Sequence, residues 1–587
     1  MTATTGQSNA SMSASPMTDR ILILDADLAP ALSVARSLKE IGIAVDVASN
    51  NDHPIAAYSR TVDACLNYPD PLERQSEFID WIREITKQSR YALIIPVTER
   101  TVAPLLKYRD RYDDSRIAMA PTDSLRLALD KAQTVALAES VGIPVPRSVL
   151  VDDIAQLDDA RAQFSFPIVI KPASSVGADQ SKNVQLTVSY AFDDNELRAQ
   201  VRHALRFGHV ILQEYFRGEG EGIELLADQG KVVYAFQHRR LHEVPLTGGG
   251  SSLRMSVDIT PALLDASQRL MAAMKWHGVA MVEFKHDPAS GQFRLMEVNG
   301  RFWGSLPLAA AAGANFPGML YELLVKGRVE EHPPARIGVY CRNLSRDVYW
   351  HEQVLRKNAP TRLVSIPGWQ SVLKDALLML NWHHSFDVQR LTDPKPGLVD
   401  AWRIVKTYQE RFARIQADKK ILKTQREAWQ NGTIRDIVRK SNHIHFVCYG
   451  NINRSAISER YAKSVFERPV TISSSGFHPV VDRAADPVMI DVAHDAGLDM
   501  TGWASKQLKP TVVADAGIIF VMELDHYRKV CQAHPDAADR TFLLALADPR
   551  EPRSLDIEDP YGKPATTYRS VYQQIASCID RIASAQD

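Results

Sequence analysis

The stretch FVCYGNINRSAISERY, residues 446–461, restricts the fold of this chain more than any other segment. An apolar run ends at Cys448, five residues follow as a turn, and Arg454 and Ser455 open a helical pattern. A strand joined through a tight turn to a helix is the repeating unit of a parallel α/β sheet. The backbone N–H groups of such a turn converge with the helix N-terminus and attract an anion. The stretch therefore predicts an α/β domain with a phosphate-binding loop at the end of a strand.

The residue types in this loop predict cleavage of phosphate esters. The positive field of the N–H groups is expected to favour the thiolate form of Cys448, which is a nucleophile. Arg454 can bind two phosphate oxygens through parallel hydrogen bonds. Such chemistry also needs an acid to protonate the leaving oxygen. Asp559, in the loop before the last helical pattern, is the first candidate, and Asp556 is the alternative.

Residues 443–587 resemble the low-molecular-weight protein tyrosine phosphatases over nearly their whole length. The resemblance lies in the loop already quoted, in ISSSGFHPVVDRAADPVMIDVAHDAGLDMTGWASKQL and in LDIEDPYGKPATTYRSVYQQI. It implies that Cys448 is the nucleophile and that Arg454 binds the phosphoryl group. It also implies that Ser455 stabilises the thiolate, that Asn451 holds the loop and that Asp559 is the general acid.

Two departures from that family leave the substrate open. Asn453 stands where many relatives carry a second loop cysteine, so a disulfide within the loop is excluded. Tyr449 and Tyr561 are candidate substrate contacts, but Gly562 stands where some relatives have a second aromatic residue. The related arsenate reductases need further, closely spaced cysteines, and this chain lacks that spacing.

Length and composition indicate a multidomain intracellular protein. At 587 residues the chain is too long for a single core. The 69 basic and 70 acidic side chains leave a net charge of -1, which favours neither nucleic acid nor membrane as a partner. No apolar run reaches the roughly 18 to 20 residues of a membrane-spanning helix. The five cysteines are scattered without a C-x-x-C pair, a pattern that favours the reducing cytoplasm.

The order of apolar runs and helical patterns predicts an assembly of α/β and α+β domains. Residues 21–49 read as strand, helix and strand, without the glycine-rich fingerprint of a dinucleotide-binding turn. Trp402–Lys440 carries eleven Lys or Arg against four Asp or Glu, which fits either a solvated connecting helix or an anion-facing surface. The predicted segments are a disordered tail (1–18), a Rossmann-like domain (19–125), a strand-rich domain (126–330), a mostly helical connecting region (331–442) and a doubly wound parallel-sheet domain (443–587).

A second set of residues indicates a nucleotide and metal site in the strand-rich domain. FPIVIKPASSVGADQSKNVQL delivers Lys171 from a buried strand into a loop containing Ser and Gly, which fits a phosphate cradle or a lysine that extends to the surface. VAMVEFKHDPASGQFRLMEVNGRFWG reads as a β-hairpin with Glu283 on one strand and Glu297 and Asn299 on the other. Two carboxylates and an amide oxygen suit Mg²⁺ bound together with phosphates.

Residues 19 to about 330 resemble the ATP-grasp superfamily, close to the carbamoyl-phosphate-synthase-like carboxylate–amine ligases. That resemblance implies ATP and Mg²⁺ as cofactors, transfer of phosphate to a carboxylate, attack of an amine on the acyl phosphate, and release of ADP. The roles that it implies are phosphate contacts for Lys131 and Lys171, an adenine pocket at Glu214, Tyr215 and Phe216, a ribose contact at Glu221, Mg²⁺ ligation by Glu283, Glu297 and Asn299, a phosphoryl or carboxylate clamp at Arg301, and a substrate contact at Arg254. Arg254 ends HRRLHEVPLTGGGSSLR, which resembles a mobile loop of that family.

The sequence thus predicts a bifunctional cytoplasmic enzyme, a ligase joined to a cysteine-dependent phosphomonoesterase. The expected partners are a small carboxylate, an amine, and a phosphomonoester or phosphotyrosine, with homo-oligomerisation left open. The phosphatase would act on the ligase's own substrate or product, or would regulate by removing phosphate from protein tyrosines. A non-catalytic sensor of nucleotide and phosphate is the third hypothesis.

Overall fold

The computed structural model of the chain describes residues 19–88, 90–172, 188–205, 208–357, 362–552 and 554–584. The predicted disordered tail and the loop that follows Lys171, residues 173–187, lie outside the described residues. The chain divides into two compact units. One comprises Met1–Ser148 and Glu214–Lys406, and the other comprises Val149–Gln213 and Thr407–Asp587.

The described residues form both strands and α-helices. The strands are β1 (Arg20–Ile23), β2 (Ala44–Ser49), β3 (Ala64–Asn67), β4 (Leu93–Ile95), β5 (Ser148–Val151), β6 (Ile168–Pro172), β7 (Ser189–Ala191), β8 (Val210–Glu214), β9 (Glu219–Asp228), β10 (Lys231–Val244), β11 (Gly250–Val257), β12 (Gly278–His286), β13 (Phe293–Asn299), β14 (Tyr340–Arg342), β15 (His384–Phe386), β16 (His443–Cys448), β17 (Thr471–Gly476), β18 (Ile518–Val521) and β19 (Thr541–Leu543). The α-helices are α1 (Ala29–Glu40), α2 (Gln75–Lys87), α3 (Glu99–Lys107), α4 (Thr122–Leu129), α5 (Lys131–Ser140), α6 (Leu157–Arg161), α7 (Asp194–Ala204), α8 (Pro261–Met274), α9 (Leu306–Ala312), α10 (Phe316–Tyr321), α11 (Leu344–Leu355), α12 (Trp369–Leu377), α13 (Pro394–Gln430), α14 (Thr433–Lys440), α15 (Arg454–Val465), α16 (Pro487–Asp495), α17 (Pro510–Asp515), α18 (Leu524–Ala533) and α19 (Ala565–Ala583).

The first four strands form a parallel sheet in the order β3-β2-β1-β4. Ile21, Leu22 and Ile23 on β1 are fully buried. Burial of successive residues is typical of a central strand that is covered on both faces, as in parallel α/β sheets. The predicted strand–helix–strand unit over residues 21–49 is confirmed by β1, α1 and β2.

The larger sheet of the first unit has seven strands in the order β13-β12-β9-β10-β11-β14-β15. Its pairs are antiparallel except β14 with β15. Strands β9 and β10 are joined by Gln229 and Gly230, which both have positive φ, 47° and 89°. This is the geometry of a two-residue turn that matches the twist of the flanking strands. The predicted hairpin of Glu283 and Glu297 is present as β12 and β13.

Two predictions about this region are wrong. The stretch from His238 to Arg254 is not a single loop, because β10 runs to Val244, β11 starts at Gly250, and only residues 245–249 connect them. The segment 331–442 is not a separate helical region either, since β14 and β15 extend the seven-stranded sheet. Strands as short as three residues carry too little periodicity to be recognised in a sequence.

Helices α9 and α10 pack in the core of the first unit, where Leu306, Leu308, Phe316 and Met319 are fully buried. Among the described residues, no single helix has the length and apolar character to cross a membrane. Leu306–Ala312 and Phe316–Lys326 pass that test only when they are taken together, across a bend of 98°.

The second unit contains two four-stranded sheets. One has the order β5-β8-β6-β7, and the other is parallel with the order β17-β16-β18-β19. In the parallel sheet, Phe446 of β16 and Phe520 of β18 stack with ring centroids 5.9 Å apart. The predicted parallel sheet is confirmed by β16 to β19, and the predicted strand, turn and helix at Cys448 are β16, the loop after it and α15. Strand β16 is central, so the loop at its carboxyl end lies between neighbouring strands.

Candidate functional site

The loop between β16 and α15 carries the most complete constellation of reactive groups. Its compact turn depends on Gly476 of the neighbouring strand β17. A Cβ atom there would lie 2.6 Å from the carbonyl oxygen of Tyr449 and 2.9 Å from the backbone nitrogen of Asn451. Asn451 itself has φ of 51°, in the left-handed region that asparagine tolerates better than most residues. Glycine at 476 and asparagine at 451 therefore allow the backbone to curl tightly around Cys448.

The sulfur atom of Cys448 lies at the centre of this loop. The Ser455 hydroxyl oxygen is 3.0 Å from Sγ, and the backbone N–H of Asn451 donates to Sγ over 3.2 Å. Cys448 is only 2% exposed, so these donors act with little competition from water. The hydroxyl and the backbone N–H are both suited to stabilising a negative sulfur.

Asn451 fastens the loop to its surroundings through every polar atom of its side chain. Its Nδ2 donates to Ser455 Oγ over 2.9 Å and to Ser474 Oγ over 2.8 Å. Its Oδ1 accepts the Lys506 backbone N–H over 2.8 Å. The Asn451 carbonyl also accepts from Trp503 Nε1 over 2.8 Å. These contacts support the predicted role of Asn451 in holding the loop.

Arg454 opens helix α15 with a guanidinium that is almost wholly buried. Its Nη2 donates to Asp559 Oδ2 over 2.6 Å, and its Nη1 donates to the Ile557 carbonyl over 2.8 Å and to Glu523. Burial disfavours the charge, but Cys448 and the two carboxylates outweigh burial and raise the pKa of Arg454. The guanidinium is thus a permanent cation beside the sulfur, where a phosphoryl group would sit.

The two candidate acids have different environments. The side chain of Asp559 is 45% exposed and contacts Arg454, so it faces the loop and remains accessible. Asp556 instead accepts the Leu524 backbone N–H over 2.7 Å, at the first residue of α18. A carboxylate that caps a helix N-terminus is committed to a structural role. The geometry therefore favours Asp559 as the general acid.

The rim of the loop is aromatic and basic. Tyr449 is 48% exposed and Tyr561 is 37% exposed. The Lys529 ammonium lies 5.6 Å from the centre of the Tyr449 ring, and the Arg483 guanidinium donates to the Gly450 carbonyl. Burial lowers the pKa of Arg483, while Tyr561, Cys448 and Tyr449 act in the opposite direction. Two exposed tyrosine rings and two cations around this loop suit an anionic, partly aromatic substrate.

Sequence reasoning did not identify Glu523, Arg483 and Lys529 as members of this site. They lie far along the chain from Cys448, and no local motif marks them. Gly476 was also missed, although a glycine at the end of a strand pattern can signal a close backbone approach.

The predicted metal ligands of the first unit lie together on the β12–β13 hairpin. Glu283 pairs directly with Glu297, and Asn299 Nδ2 is 3.1 Å from Glu283 Oε1 and 3.2 Å from Glu297 Oε1. Arg240 Nη2 lies 2.5 Å from Glu283 Oε2. Burial raises the pKa of Glu283 even though Arg240 opposes that effect. Arg240 therefore neutralises part of the negative charge at this position, and the sequence pattern did not point to it.

The donor set on this hairpin fits Mg²⁺. Two carboxylates and one amide oxygen are hard ligands, and Mg²⁺ usually takes few protein ligands and completes its shell with water and phosphate. Rotation of the Asn299 amide would turn its oxygen toward the two carboxylates. Among the described residues, no group of three or more His, Cys, Asp or Glu side chains could hold a metal ion. The candidate site therefore depends on the amide as its third ligand.

Arg301 and Arg254, predicted to contact substrate, are both engaged with other residues. Arg301 Nη2 donates to Glu99 Oε1 over 3.1 Å, and Nη1 donates to the Phe302 carbonyl over 2.8 Å. Arg254 is 1% exposed on strand β11, where its guanidinium pairs with Asp387 and donates to the Gly304 carbonyl over 3.1 Å. A substrate could reach Arg254 only if this buried pair opened, so its placement corrects the expectation of a residue in a mobile loop.

The predicted nucleotide contacts of the first unit occupy distinct positions. Lys131 is exposed at the first residue of α5. Glu214 Oε2 accepts the Arg147 backbone N–H over 3.3 Å, and the Arg294 guanidinium lies 4.8 Å from the centre of the Phe216 ring. The hydroxyl of the neighbouring Tyr215 donates to the Leu363 carbonyl over 3.5 Å.

Glu221 and Lys171 complete the set of predicted nucleotide contacts. Glu221 is fully buried and accepts from Gln237 Nε2 over 2.5 Å and from Arg239 Nε over 2.9 Å. A ribose hydroxyl that binds Glu221 would have to share its carboxylate with Gln237 and Arg239. In the second unit, Lys171 is half-buried on β6, as the strand pattern predicted.

Comparisons with known proteins match the two regions separately. A family model described as low molecular weight phosphotyrosine protein phosphatase matches residues 443–585. A second, described as ATP-grasp in the biosynthetic pathway with Ter operon, matches residues 206–346. The low molecular weight protein-tyrosine-phosphatase Etp of Escherichia coli (strain K12) is 32% identical over 133 residues, which are 23% of this chain and 86% of that protein.

Two further relatives each match one part of the chain. The low molecular weight protein-tyrosine-phosphatase Wzb of the same strain is 30% identical over 131 residues, 22% of this chain and 86% of that protein. The carbamoyl phosphate synthase large chain of Thermotoga neapolitana is 24% identical over 295 residues, 47% of this chain and 26% of that protein.

Proposed function

Because residues 443–585 belong to the low molecular weight phosphotyrosine protein phosphatase family and residues 206–346 match an ATP-grasp model, we propose that this enzyme joins a carboxylate–amine ligase to a phosphomonoesterase. The observation that supports the phosphatase most directly is the set of donors around one sulfur atom. Ser455 Oγ and the Asn451 N–H lie within 3.2 Å of Cys448 Sγ, and the Arg454 cation stands beside them.

Hydrolysis at this loop would take two steps. The Cys448 thiolate attacks phosphorus, an S–P bond forms as the P–O bond to the leaving group breaks, and Asp559 gives its proton to the leaving oxygen. Water then attacks the cysteinyl-phosphate and gives a proton to Asp559, and the thiolate departs as inorganic phosphate is released. Arg454 and the loop N–H groups hold the phosphoryl oxygens in both steps.

Release of phosphate from p-nitrophenyl phosphate by the full-length protein tests this half of the proposal. Wild type should turn over, Cys448→Ser should lose nearly all activity, and Asp559→Asn should retain a slow reaction. Rapid denaturation during turnover should also trap a phosphocysteine in wild type but not in Cys448→Ser. Equal activity of Cys448→Ser and wild type would refute the assignment of the nucleophile.

In the ligase half, Glu283, Glu297 and Asn299 would hold Mg²⁺, and Arg240 would offset the charge of the carboxylates. Bound ATP and Mg²⁺ would supply the phosphoryl group and its charge neutralisation, so that a substrate carboxylate becomes an acyl phosphate open to an amine. The donor set of the hairpin supports this role.

The ligase reaction can be tested by measuring nucleotide release from Mg-ATP in the presence of pooled amino acids and small carboxylates. ADP that depends on one pool and is absent in Lys171→Ala would support the proposal and identify the substrate class. AMP as the product would refute an acyl-phosphate mechanism.

We place the enzyme in the cytoplasm. Two classes of substrate are candidates for its phosphatase half. The first candidate is a phosphorylated product of the ligase. If the phosphatase half removes that phosphate, Cys448→Ser should accumulate a phosphorylated product, and an unchanged product profile would refute sequential processing.

The second candidate is phosphotyrosine in proteins, which the exposed Tyr449 and Tyr561 rings favour because aromatic rings pack against one another. Faster turnover of phosphotyrosine peptides than of small phosphate esters would support it.

A further inference from the structure

His203, near the end of α7, contacts the loop that carries the candidate general acid. Its ring meets the Tyr561 ring edge-on, with centroids 5.7 Å apart and an interplanar angle of 83°. This is a favourable arrangement of two aromatic rings. Both residues belong to the second unit, yet 358 positions separate them in the sequence.

The ring of His203 also fills the space in front of Gly562. A Cβ atom at Gly562 would lie 2.1 Å from His203 Nδ1 and 2.6 Å from its Cε1. Gly562 also has φ of 75°, in the region where a side chain is disfavoured. The position beside Tyr561 is therefore occupied by a ring that comes from a different part of the chain.

The loop that His203 contacts is held by hydrogen bonds on both sides of Tyr561, and one of them reaches Arg454 of the phosphatase site. Asp559 accepts from Arg454 over 2.6 Å, and the Tyr561 backbone N–H donates to Asp559 Oδ1 over 3.2 Å. The Gly562 N–H donates to the Tyr568 hydroxyl over 3.2 Å. The His203 ring is thus held against residues that directly follow the candidate general acid Asp559 in this loop.

Helix α7 places His203 independently of the phosphatase core. Leu197 and Val201 of α7 are buried in the cluster that covers the sheet of β5, β6, β7 and β8. The Asp193 side chain caps the helix by accepting the Glu196 N–H over 2.9 Å. The sheet under this helix also carries Lys171 on β6. His203 is therefore presented by α7 and the sheet on which α7 packs.

We propose that His203 is a specificity-determining residue of the phosphatase site, where it braces Tyr561 as one aromatic wall for an aryl phosphate. Tyr449 is the other exposed ring on the rim, and Arg483 donates to the carbonyl of the next residue, Gly450. An aryl group placed against Tyr561 gains from the fixed orientation of that ring, whereas an aliphatic phosphate uses only the loop and Arg454. The inference rests on the proposed phosphatase activity and assigns part of its substrate selection to residues 149–213.

The test compares steady-state kinetics of the full-length wild type with His203→Ala, His203→Phe and Arg202→Ala. The last variant removes an exposed neighbour on the same helix and is the matched control. The probes are p-nitrophenyl phosphate as the aryl ester, glycerol 3-phosphate as the aliphatic ester, and inorganic phosphate as an inhibitor that fills only the loop.

For His203→Ala, KM for the aryl ester should rise about 2- to 12-fold, the range expected for the loss of one aromatic pair. The kcat value, KM for the aliphatic ester and the inhibition constant of phosphate should not change. His203→Phe keeps a ring and should restore KM, and Arg202→Ala should match wild type. Together these results would support a specificity role rather than a general structural one.

Three outcomes would overturn the inference: an unchanged aryl KM in His203→Ala, an equal rise for both esters, or a failure of His203→Phe to restore KM. Failure of the proposed phosphatase activity is a separate result, because wild type would then show no turnover that depends on Cys448. Turnover that depends on Cys448 but not on His203 would overturn this inference alone.

Discussion

Replacement of Asn451 should reveal how much the phosphate-binding loop depends on one side chain. Asn451→Ala removes three hydrogen bonds, to Ser455, to Ser474 and from the Lys506 N–H, each worth about 1 kcal/mol net. Alanine must also adopt the φ of 51° without the local side-chain hydrogen bonds that make this region less costly for asparagine, which adds part of the roughly 1–2 kcal/mol cost of left-handed backbone. The free energy of unfolding of the phosphatase part should therefore fall by about 3–5 kcal/mol.

Asn451→Gly separates the two causes. Glycine loses the same hydrogen bonds but adopts positive φ without strain, although its unfolded state gains entropy. It should be more stable than Asn451→Ala by roughly 0.5–1 kcal/mol. Asn453→Ala is the matched control, because Asn453 has φ of -127° and its Oδ1 accepts no hydrogen bond from the described residues.

The assay is loss of p-nitrophenyl phosphatase activity with increasing urea, which reports on the phosphatase part of this long chain. The midpoints should rank Asn453→Ala highest, then Asn451→Gly, then Asn451→Ala. Equal midpoints for the glycine and alanine variants at position 451 would refute the assignment of strain to the left-handed backbone. Wild-type midpoints for both would refute the role of the side-chain network.

Three further predictions concern single carboxylates and one buried pair. Asp559→Asn should lower kcat about 10²–10⁴-fold for an alkyl phosphate and less for p-nitrophenyl phosphate, whose leaving group needs little protonation; Asp556→Asn, measured in parallel, should leave that dependence on leaving group unchanged. Because burial raises the pKa of Glu283 above 4.5, its protonated form is favoured in the fold at low pH. Apparent Mg²⁺ affinity in the ADP-release assay should therefore rise with pH above 4.5 as that proton leaves, and a pH dependence that persists unchanged in Glu283→Gln would contradict this. Arg254→Met leaves Asp387 as an unpaired buried charge and should cost about 3–5 kcal/mol of stability, seen in urea unfolding; a stable variant with a raised substrate KM would instead favour direct substrate binding.

The loop at Cys448 could be identified from sequence because its reactive groups lie close together along the chain. Cys448, Asn451, Arg454 and Ser455 fall within eight residues between a strand and a helix, so backbone geometry alone brings them together. The β12–β13 hairpin is similarly local, and its two-residue period placed Glu297 and Asn299 on one face. Both groups of residues can therefore be predicted without knowledge of the tertiary fold.

Other features could not be read from local pattern. The short strands β14 and β15 are strands because they pair at the edge of the larger sheet, which the local sequence does not show. The pattern around Arg254 predicts a loop residue, whereas the structure places Arg254 on β11 and pairs it with Asp387, 133 positions away. Glu523 reaches Arg454 across 69 positions, and no spacing rule connects them.

Local sequence is enough to predict the strand and helix patterns, the loop at Cys448 and the carboxylates and amide of the hairpin, since each depends on residues close along the chain. The surroundings of these groups come from distant parts of the chain: Glu523 and Asp559 lie at Arg454, Arg240 lies at Glu283, and the His203 ring lies at Gly562. Periodicity and turn chemistry act over a few residues, whereas the pairing of a buried charge or ring depends on sheet order and packing. Those in turn are set by burial of apolar surface over a whole domain.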